Sequence, residues 1–449
     1  MPNDFFSDLL TSISERGRSL LGRPSPNGTR PSATDLLSLC DALLSGRGEA
    51  SGSAIARDVL DAYHSLDDAG RLTFFTALAD AYGPDDARLR RALETWQSTG
   101  SDLSAGELHF ASEPRRQELF RRLNRIPGAT RDLVAMRSNL LDLLPTHSEL
   151  QVVDRDFVHL LGSWFNRGFL VLRRIDWGTP AIVLEKVIRY EAVHEIRGWA
   201  DLRRRIDPPD RRCYAFFHPA MSDEPLIFVE VALTETIPGA IAPLLSEDRA
   251  LAVPDRVRTA VFYSISNCQR GLAGISFGNF LIKQVVEELR RELPKLDSFV
   301  TLSPVPGFIG WLNSSDANLT ESERDALALL DGADWPHDPN AAESLRAVVE
   351  PLAAQYFLKA KTSRGLPVDP VARFHLGNGA RLERIDWLGD TSAKGLRESA
   401  GLMVNYLYRL DDIEKNHEAF ANQGEVAASS AVKKMLKPTG RRMLDLRLS

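Results

Sequence analysis

Between Val261 and Pro304 the chain reads as strand, glycine turn, helix and strand in immediate succession, and this run constrains the fold more than any other. Val261-Phe-Tyr-Ser-Ile-Ser266 is aromatic and β-branched, as a strand requires, and Gln269-Arg-Gly-Leu-Ala-Gly-Ile-Ser-Phe-Gly278 then brings Gly271, Gly274 and Gly278 close together. Leu281, Ile282, Val285, Val286, Leu289 and Leu293 form a helical stripe that Pro294 ends, and Ser298-Phe-Val-Thr-Leu-Ser-Pro304 is the next strand. That order makes a βαβ-type unit, whose ligand site belongs at the carboxyl ends of its strands. Ser303 lies at one such end.

Upstream, Cys213-Tyr-Ala-Phe-Phe-His218 and Leu226-Ile-Phe-Val-Glu-Val-Ala-Leu233 flank a Pro-rich turn and predict an antiparallel hairpin. Before about Trp164 the pattern is helical. Asp35–Leu44, Ser53–Leu66, Asp68–Tyr82, Asp85–Trp96 and Thr130–Leu144 repeat apolar residues at helical spacing, and several start at Ser, Thr or Asp. Gly22 to Thr34 holds three prolines and little that is apolar, which predicts a flexible linker after a short amphipathic N-terminal helix. Val305 to Ala360 returns to helical patterning, as an insertion after the sheet. The expected organisation is α+β, with a helical bundle domain over 1–162 and a mixed-sheet α/β domain over 163–449.

Charge narrows the functional classes. Lys plus Arg number 55 and Asp plus Glu 61, a net −6, so no global field gathers polyanions and nucleic acid is not expected as a partner. No apolar run reaches the ~18 residues of a membrane span, and Asp4, Asp8 and Glu15 exclude a signal-peptide core at the N-terminus. Three cysteines, Cys40, Cys213 and Cys268, predict neither a disulfide framework nor a metal site, and a reducing, cytoplasmic compartment is expected. Cys213 and Cys268 read as buried strand-end residues without a base partner.

Three features could carry chemistry. The glycine turn allows close backbone approach and aims the N–H groups of a helix N-terminus at an anion, although packing of helix on strand explains glycines equally well. Its spacing matches neither GxGxxG nor the nucleoside-triphosphate loop. His375, in Pro370-Val-Ala-Arg-Phe-His-Leu-Gly-Asn-Gly-Ala380, precedes the turn signal Asn378-Gly379 and is expected at the mouth of a loop. His159, in a helical pattern, and His194 and His218, near strand ends, read as structural, and no histidine pair has metal-ligand spacing. Ser303 lacks a GxSxG elbow, so by pattern alone it is a turn residue before proline. Arg270, Lys283 and Arg381 are candidate cations for an anionic ligand, though charges of this kind are usually only solvated.

These same residues lie in motifs that resemble the malonyl-CoA decarboxylase family. They are Phe262-Tyr-Ser-Ile-Ser266, Gln269-Arg-Gly-Leu-Ala-Gly274, Phe280-Leu-Ile-Lys-Gln-Val-Val-Glu-Glu-Leu289, Leu302-Ser-Pro-Val-Pro-Gly-Phe308, the His375 segment and Gly401-Leu-Met-Val-Asn-Tyr406. The likeness extends upstream through Trp164-Phe, Arg174-Ile-Asp-Trp177, Glu191-Ala-Val-His194 and Arg211-Arg-Cys-Tyr214. The resemblance implies a helical N-terminal domain used in subunit association, as a dimer or tetramer, and a catalytic domain with the fold of GNAT-type N-acetyltransferases. It implies Ser303 and His375 as the catalytic pair and Tyr408 as a supporting tyrosine. It also implies an acyl-CoA-binding turn of Ala273, Gly274, Ile275, Ser276, Phe277, Gly278 and Asn279. Ser276 stands where animal members carry an acidic residue, so no auxiliary role of that carboxylate is expected here; the ending Leu-Arg-Leu-Ser449 lacks their Ser-Lys-Leu, and a bacterial cytoplasmic protein is expected.

The implied reaction turns malonyl-CoA into acetyl-CoA and CO2. It needs donors facing the thioester oxygen and an acid near the α-carbon, with no cofactor or metal as electron sink. An N-acyltransferase on the same fold and a non-catalytic acyl-CoA sensor are the alternatives, because fold and CoA binding do not fix a reaction.

Overall fold

The computed structural model describes residues 33–45, 49–275, 277, 281–332 and 334–436. The expected N-terminal helix, most of the linker over 22–34, and Ser276, Gly278 and Asn279 of the glycine turn lie outside the described residues. Two compact units are present.

The first unit holds the described residues up to Val171 together with Phe217–Pro225 and those described within Gln269–Phe277. Its helices are Ala33–Leu44, Glu49–His64, Asp68–Ala81, Asp86–Thr99, Asp102–Ser112, Arg115–Leu123, Ala129–Leu143 and Gln151–Trp164. Local chemistry sets several starts: Asp67, Asp85 and Ser101 each accept a hydrogen bond from the first turn of the helix they precede. Leu36, Cys40, Phe74, Phe75, Phe120, Leu133 and Phe157 are buried at its core. The Arg116 guanidinium and the Gln117 amide both donate to the buried carboxylate of Asp156, so this buried charge is paired rather than stranded.

The second unit is built on a mixed sheet. Its strands are β1 (Val171–Ile175), β2 (Arg211–Phe217), β3 (Pro225–Thr234), β4 (Thr259–Asn267), β5 (Ser298–Thr301), β6 (Ser303–Pro304), β7 (Arg381–Asp386) and β8 (Met403–Leu407). They lie in the order β1-β2-β3-β4-β5-β8-β6, with β7 also paired to β8. β3 and β4 run antiparallel, β4 and β5 parallel, and β8 runs antiparallel to β5, β6 and β7. The βαβ-type run therefore folds as its sequence predicts, with helix Leu281–Glu292 crossing from β4 to β5 and burying Leu281, Ile282, Val285, Val286 and Leu289. Ala232, Ile241, Val261, Tyr263, Val300, Leu302 and Met403 form a fully buried cluster on this sheet. The stretch after it is helical as expected, in Phe308–Leu312, Glu321–Leu327 and Pro339–Leu358.

Candidate active site

The pairing of β4 with β5 ends at Phe262 opposite Thr301, whereas β3 follows β4 to Asn267. At the same point β4 carries a bulge, because Glu230 faces Ser264 and the next residue, Val231, faces Phe262, leaving Tyr263 as the extra residue. A bulge bends its strand and shifts the alternation of its side chains by one. Phe262, then Tyr263, Ile265 and Asn267, consequently line a cavity of about 270 Å³ in the gap beyond β5. Val193, Leu302, Ser303 and Pro304 also line it, as do Pro370, Val371, Phe374 and His375 of a later helix. This is the carboxyl end of β4 and β5, where the sequence places the ligand site. No Lys, Arg, Asp or Glu lines the cavity among the described residues.

Ser264 and Ser266 have the opposite phase. Both donate to the carboxylate of Glu191, which also accepts the backbone N–H of Val193 and of His194 at 2.8 Å each. Glu191 thus ties the loop that carries Val193 to the strand that carries Tyr263. His194 lies in this loop after helix Ala181–Tyr190, not near a strand end as expected, whereas His218 does follow β2.

His375 sits on the last turn of helix Pro370–Gly377, which corrects the expected loop mouth. The helix starts at Asp369, whose side chain accepts the Ala372 N–H at 2.7 Å, with Pro370 in the first turn. Tyr356 donates its hydroxyl to the other oxygen of Asp369, at 3.1 Å. The Asn378-Gly379 signal is real but marks the helix end, where Gly379 takes φ +83° with its α-carbon against the Ile413 carbonyl.

His375 Nε2 stands 3.2 Å from Ser303 Oγ, and its Nδ1 stands 2.8 Å from the Tyr408 hydroxyl. The imidazole stacks on the Tyr406 ring with centroids 4.6 Å apart. Ser303, His375, Tyr406 and Tyr408 are all buried. Burial pushes the His375 pKa down to about 3 and those of Tyr406 and Tyr408 well above the usual range. The imidazole is therefore neutral at pH 7, and the site offers hydroxyl and imidazole hydrogens without a charge.

The sequence pattern missed Thr301, whose Oγ1 accepts from Ser303 Oγ at 2.8 Å and from the Tyr406 N–H at 3.1 Å. Asn405 donates to the Thr301 carbonyl at 2.8 Å. Only the period-2 pattern of β5 and β8 hints at either, since the contact depends on strands about a hundred residues apart.

The described part of the turn, Ala273 to Ile275 and Phe277, belongs to the first unit. There Arg137 Nη1 donates to the carbonyls of Gly271 and Ala273 at 2.8 Å each. A side chain at Gly271 would meet the Val134 carbonyl at 1.9 Å, so this glycine serves close packing, whereas Gly274 supplies φ +76° in open space. The three candidate cations face carboxylates: Arg270 faces Asp142, Lys283 faces Glu414 and Arg381 faces Glu383. Cys213 and Cys268 are buried, with the Cys213 thiol pushed well up by burial. No group of three His, Cys, Asp or Glu side chains is placed to hold a metal among the described residues. Nor is any described helix long and apolar enough to cross a membrane.

Comparison with known proteins agrees with the motifs. The sequence profile described as Malonyl-CoA decarboxylase C-terminal domain matches residues 168–445, and that of the N-terminal domain matches residues 82–165. The chain is 37% identical over 399 residues to the mitochondrial malonyl-CoA decarboxylase of Anser anser anser, covering 81% of this chain and 79% of that protein. The corresponding Rattus norvegicus protein is 36% identical over 358 residues, covering 72% of each. The crystal structure of malonyl-CoA decarboxylase from Rhodopseudomonas palustris is 58% identical and superposes with a TM-score of 0.87, covering 90% of this chain and all of that one. That from Cupriavidus metallidurans is 35% identical with a TM-score of 0.71, covering 90% of this chain and 99% of that one. Motif order, fold and the match along most of its length together place this chain in the malonyl-CoA decarboxylase family.

Proposed function

We propose that this protein decarboxylates malonyl-CoA to acetyl-CoA and CO2 as a carboxy-lyase, with Ser303 and His375 as its catalytic pair. The observation that carries this reading is the 3.2 Å approach of Ser303 Oγ and His375 Nε2 in one cavity at the carboxyl ends of β4 and β5. The malonyl carboxylate leaves as CO2, and the electron pair of the broken C–C bond passes into an enolate of the thioester. A proton then bonds to the α-carbon. Net consumption is one proton, which solvent returns to the site.

The lining favours that sequence. An ion pair would hold the malonyl carboxylate in its ground state, and the cavity offers it none among the described residues. Apolar surroundings instead favour loss of a localised charge into a delocalised enolate. Ser303 orients the malonyl group by hydrogen bonding, and His375 delivers the proton to carbon as a general acid. Tyr408 supports the imidazole through Nδ1. The turn Ala273–Asn279 binds the acyl-CoA through its backbone. No cofactor takes part in this scheme.

Residues 1–162 act as the association domain and 163–449 as the catalytic domain of GNAT type. Leu103 and Phe110, 79% and 63% exposed on helix Asp102–Ser112, support pairing of the helical part into a homo-oligomer. A bacterial, cytoplasmic setting and a role in fatty acid metabolism complete the reading.

The test is to incubate the purified protein with malonyl-CoA in the presence of a chelator and to follow acetyl-CoA by mass. Stoichiometric acetyl-CoA from the wild type, largely lost in folded Ser303→Ala and His375→Ala proteins, supports the assignment. Intact malonyl-CoA overturns it and leaves an N-acyltransferase, detected by adding an amine acceptor, or a binding-only acyl-CoA sensor.

A further inference from the structure

Hydrogen bonds in the buried site form one chain, from Tyr408 through His375 and Ser303 to Thr301. A neutral imidazole carries a single hydrogen, so its position on Nδ1 or Nε2 decides whether His375 can donate toward Ser303. Ser303 has one hydroxyl hydrogen, and the geometry has it donating to Thr301 Oγ1 at 2.8 Å. With that hydrogen committed, the 3.2 Å contact between Ser303 Oγ and Nε2 requires Nε2 to be the donor. Nδ1 is then bare and accepts from the Tyr408 hydroxyl, for which His375 is the hydrogen-bond partner among the described residues.

We infer that Thr301 is a positioning residue that sets the direction of this chain and so keeps the His375 hydrogen on Nε2. It acts through Ser303 and is itself neither a hydrogen-bond partner of the imidazole nor one of the residues that line the cavity. Thr301 is itself held in place, fully buried on β5, with its Oγ1 accepting the Tyr406 N–H and its carbonyl accepting from Asn405. A substrate oxygen can draw the Ser303 hydrogen away from Thr301 without disturbing the hydrogen on Nε2. Without an acceptor at position 301, Ser303 turns its hydrogen to Nε2 and drives the imidazole to the form protonated on Nδ1. That form has no hydrogen to give on the Ser303 side.

The kinetic consequence rests on the decarboxylase reading, whereas the tautomer does not. The experiment records 15N shifts of the histidine rings in the full-length protein at neutral pH, with His375→Gln identifying the His375 signals. Thr301→Val and Thr301→Ser are measured alongside, with kcat and KM for malonyl-CoA. The wild type is expected to carry hydrogen on Nε2. Thr301→Val is expected to move it to Nδ1 and to lower kcat by about tenfold or more, with KM little changed. Thr301→Ser restores both. Hydrogen on Nδ1 in the wild type overturns the inference even if no variant folds, as does an unmoved tautomer in Thr301→Val. A kcat loss that Thr301→Ser fails to restore also overturns it. A wild type that releases no acetyl-CoA sinks the decarboxylase reading instead, and the tautomer result still decides the role of Thr301.

Discussion

The Tyr408 hydroxyl meets Nδ1 of His375 at 2.8 Å, on the side of the ring away from Ser303. A group there orients the imidazole without contacting the cavity, so its loss should weaken proton delivery more than substrate binding. Tyr408→Phe keeps the ring and removes only the hydroxyl. Its kcat is expected to fall about 10²-fold, at the lower end of general acid effects, with KM for malonyl-CoA nearly unchanged. Steady-state kinetics checks this, and a rise in KM at constant kcat would assign Tyr408 to binding.

Acid should destabilise the protein through His375. Burial lowers its pKa from 6.5 to about 3, so below pH 6.5 the unfolded chain binds a proton that the folded protein refuses. Stability therefore falls as pH drops from 6.5 toward 3, by up to about 1.4 kcal/mol per pH unit, and this contribution is flat above 6.5. Urea unfolding across that window is expected to show a shallower pH dependence for His375→Gln than for the wild type. The same cause predicts that kcat shows no titration near 6.5.

Glu191 holds its loop by four donors, the N–H groups of Val193 and His194 and the hydroxyls of Ser264 and Ser266. Glu191→Ala takes the acceptor from two buried hydroxyls and two part-buried N–H groups, at roughly 1–3 kcal/mol for each one that water cannot reach. Thermal unfolding should register about 3 kcal/mol of lost stability. Because Val193 lines the cavity, the variant is also expected to raise KM.

Two glycines of one turn should respond differently. At Gly271 an added side chain collides with the Val134 carbonyl, so Gly271→Ala should cost about 3 kcal/mol or more. At Gly274 the space is open and only the φ of +76° is unfavourable, so Gly274→Ala should cost about 1 kcal/mol. Equilibrium unfolding of the two variants checks the order, and equal losses would mean that the turn does not pack as described.

Much of the fold was legible locally. Helical spacing with Asp and Ser starts marked the first unit, and the strand, turn, helix and strand over 261–304 specified a parallel β4–β5 pair, because a helix stripe and a β-branched run are properties of neighbours in the chain. Asp369-Pro370 is a local helix start as well, and the Asn378-Gly379 signal closes that helix rather than flanking a loop.

The sequence by itself determined several helices of the first unit, the strand, helix and strand over 261–304 and, through its motifs, the family. Only the tertiary structure decided what meets Ser303. His375 arrives from 72 positions away and Tyr408 from 33 positions beyond that, brought in by a capped helix and by β8 pairing with β5 and β6. The bulge at Tyr263 has no local signature either, although it decides which side chains of β4 face the cavity. The lowered pKa of His375 and the close packing at Gly271 likewise come from what surrounds those residues. Desolvation and van der Waals contact depend on distance in space, which spacing along a chain does not encode.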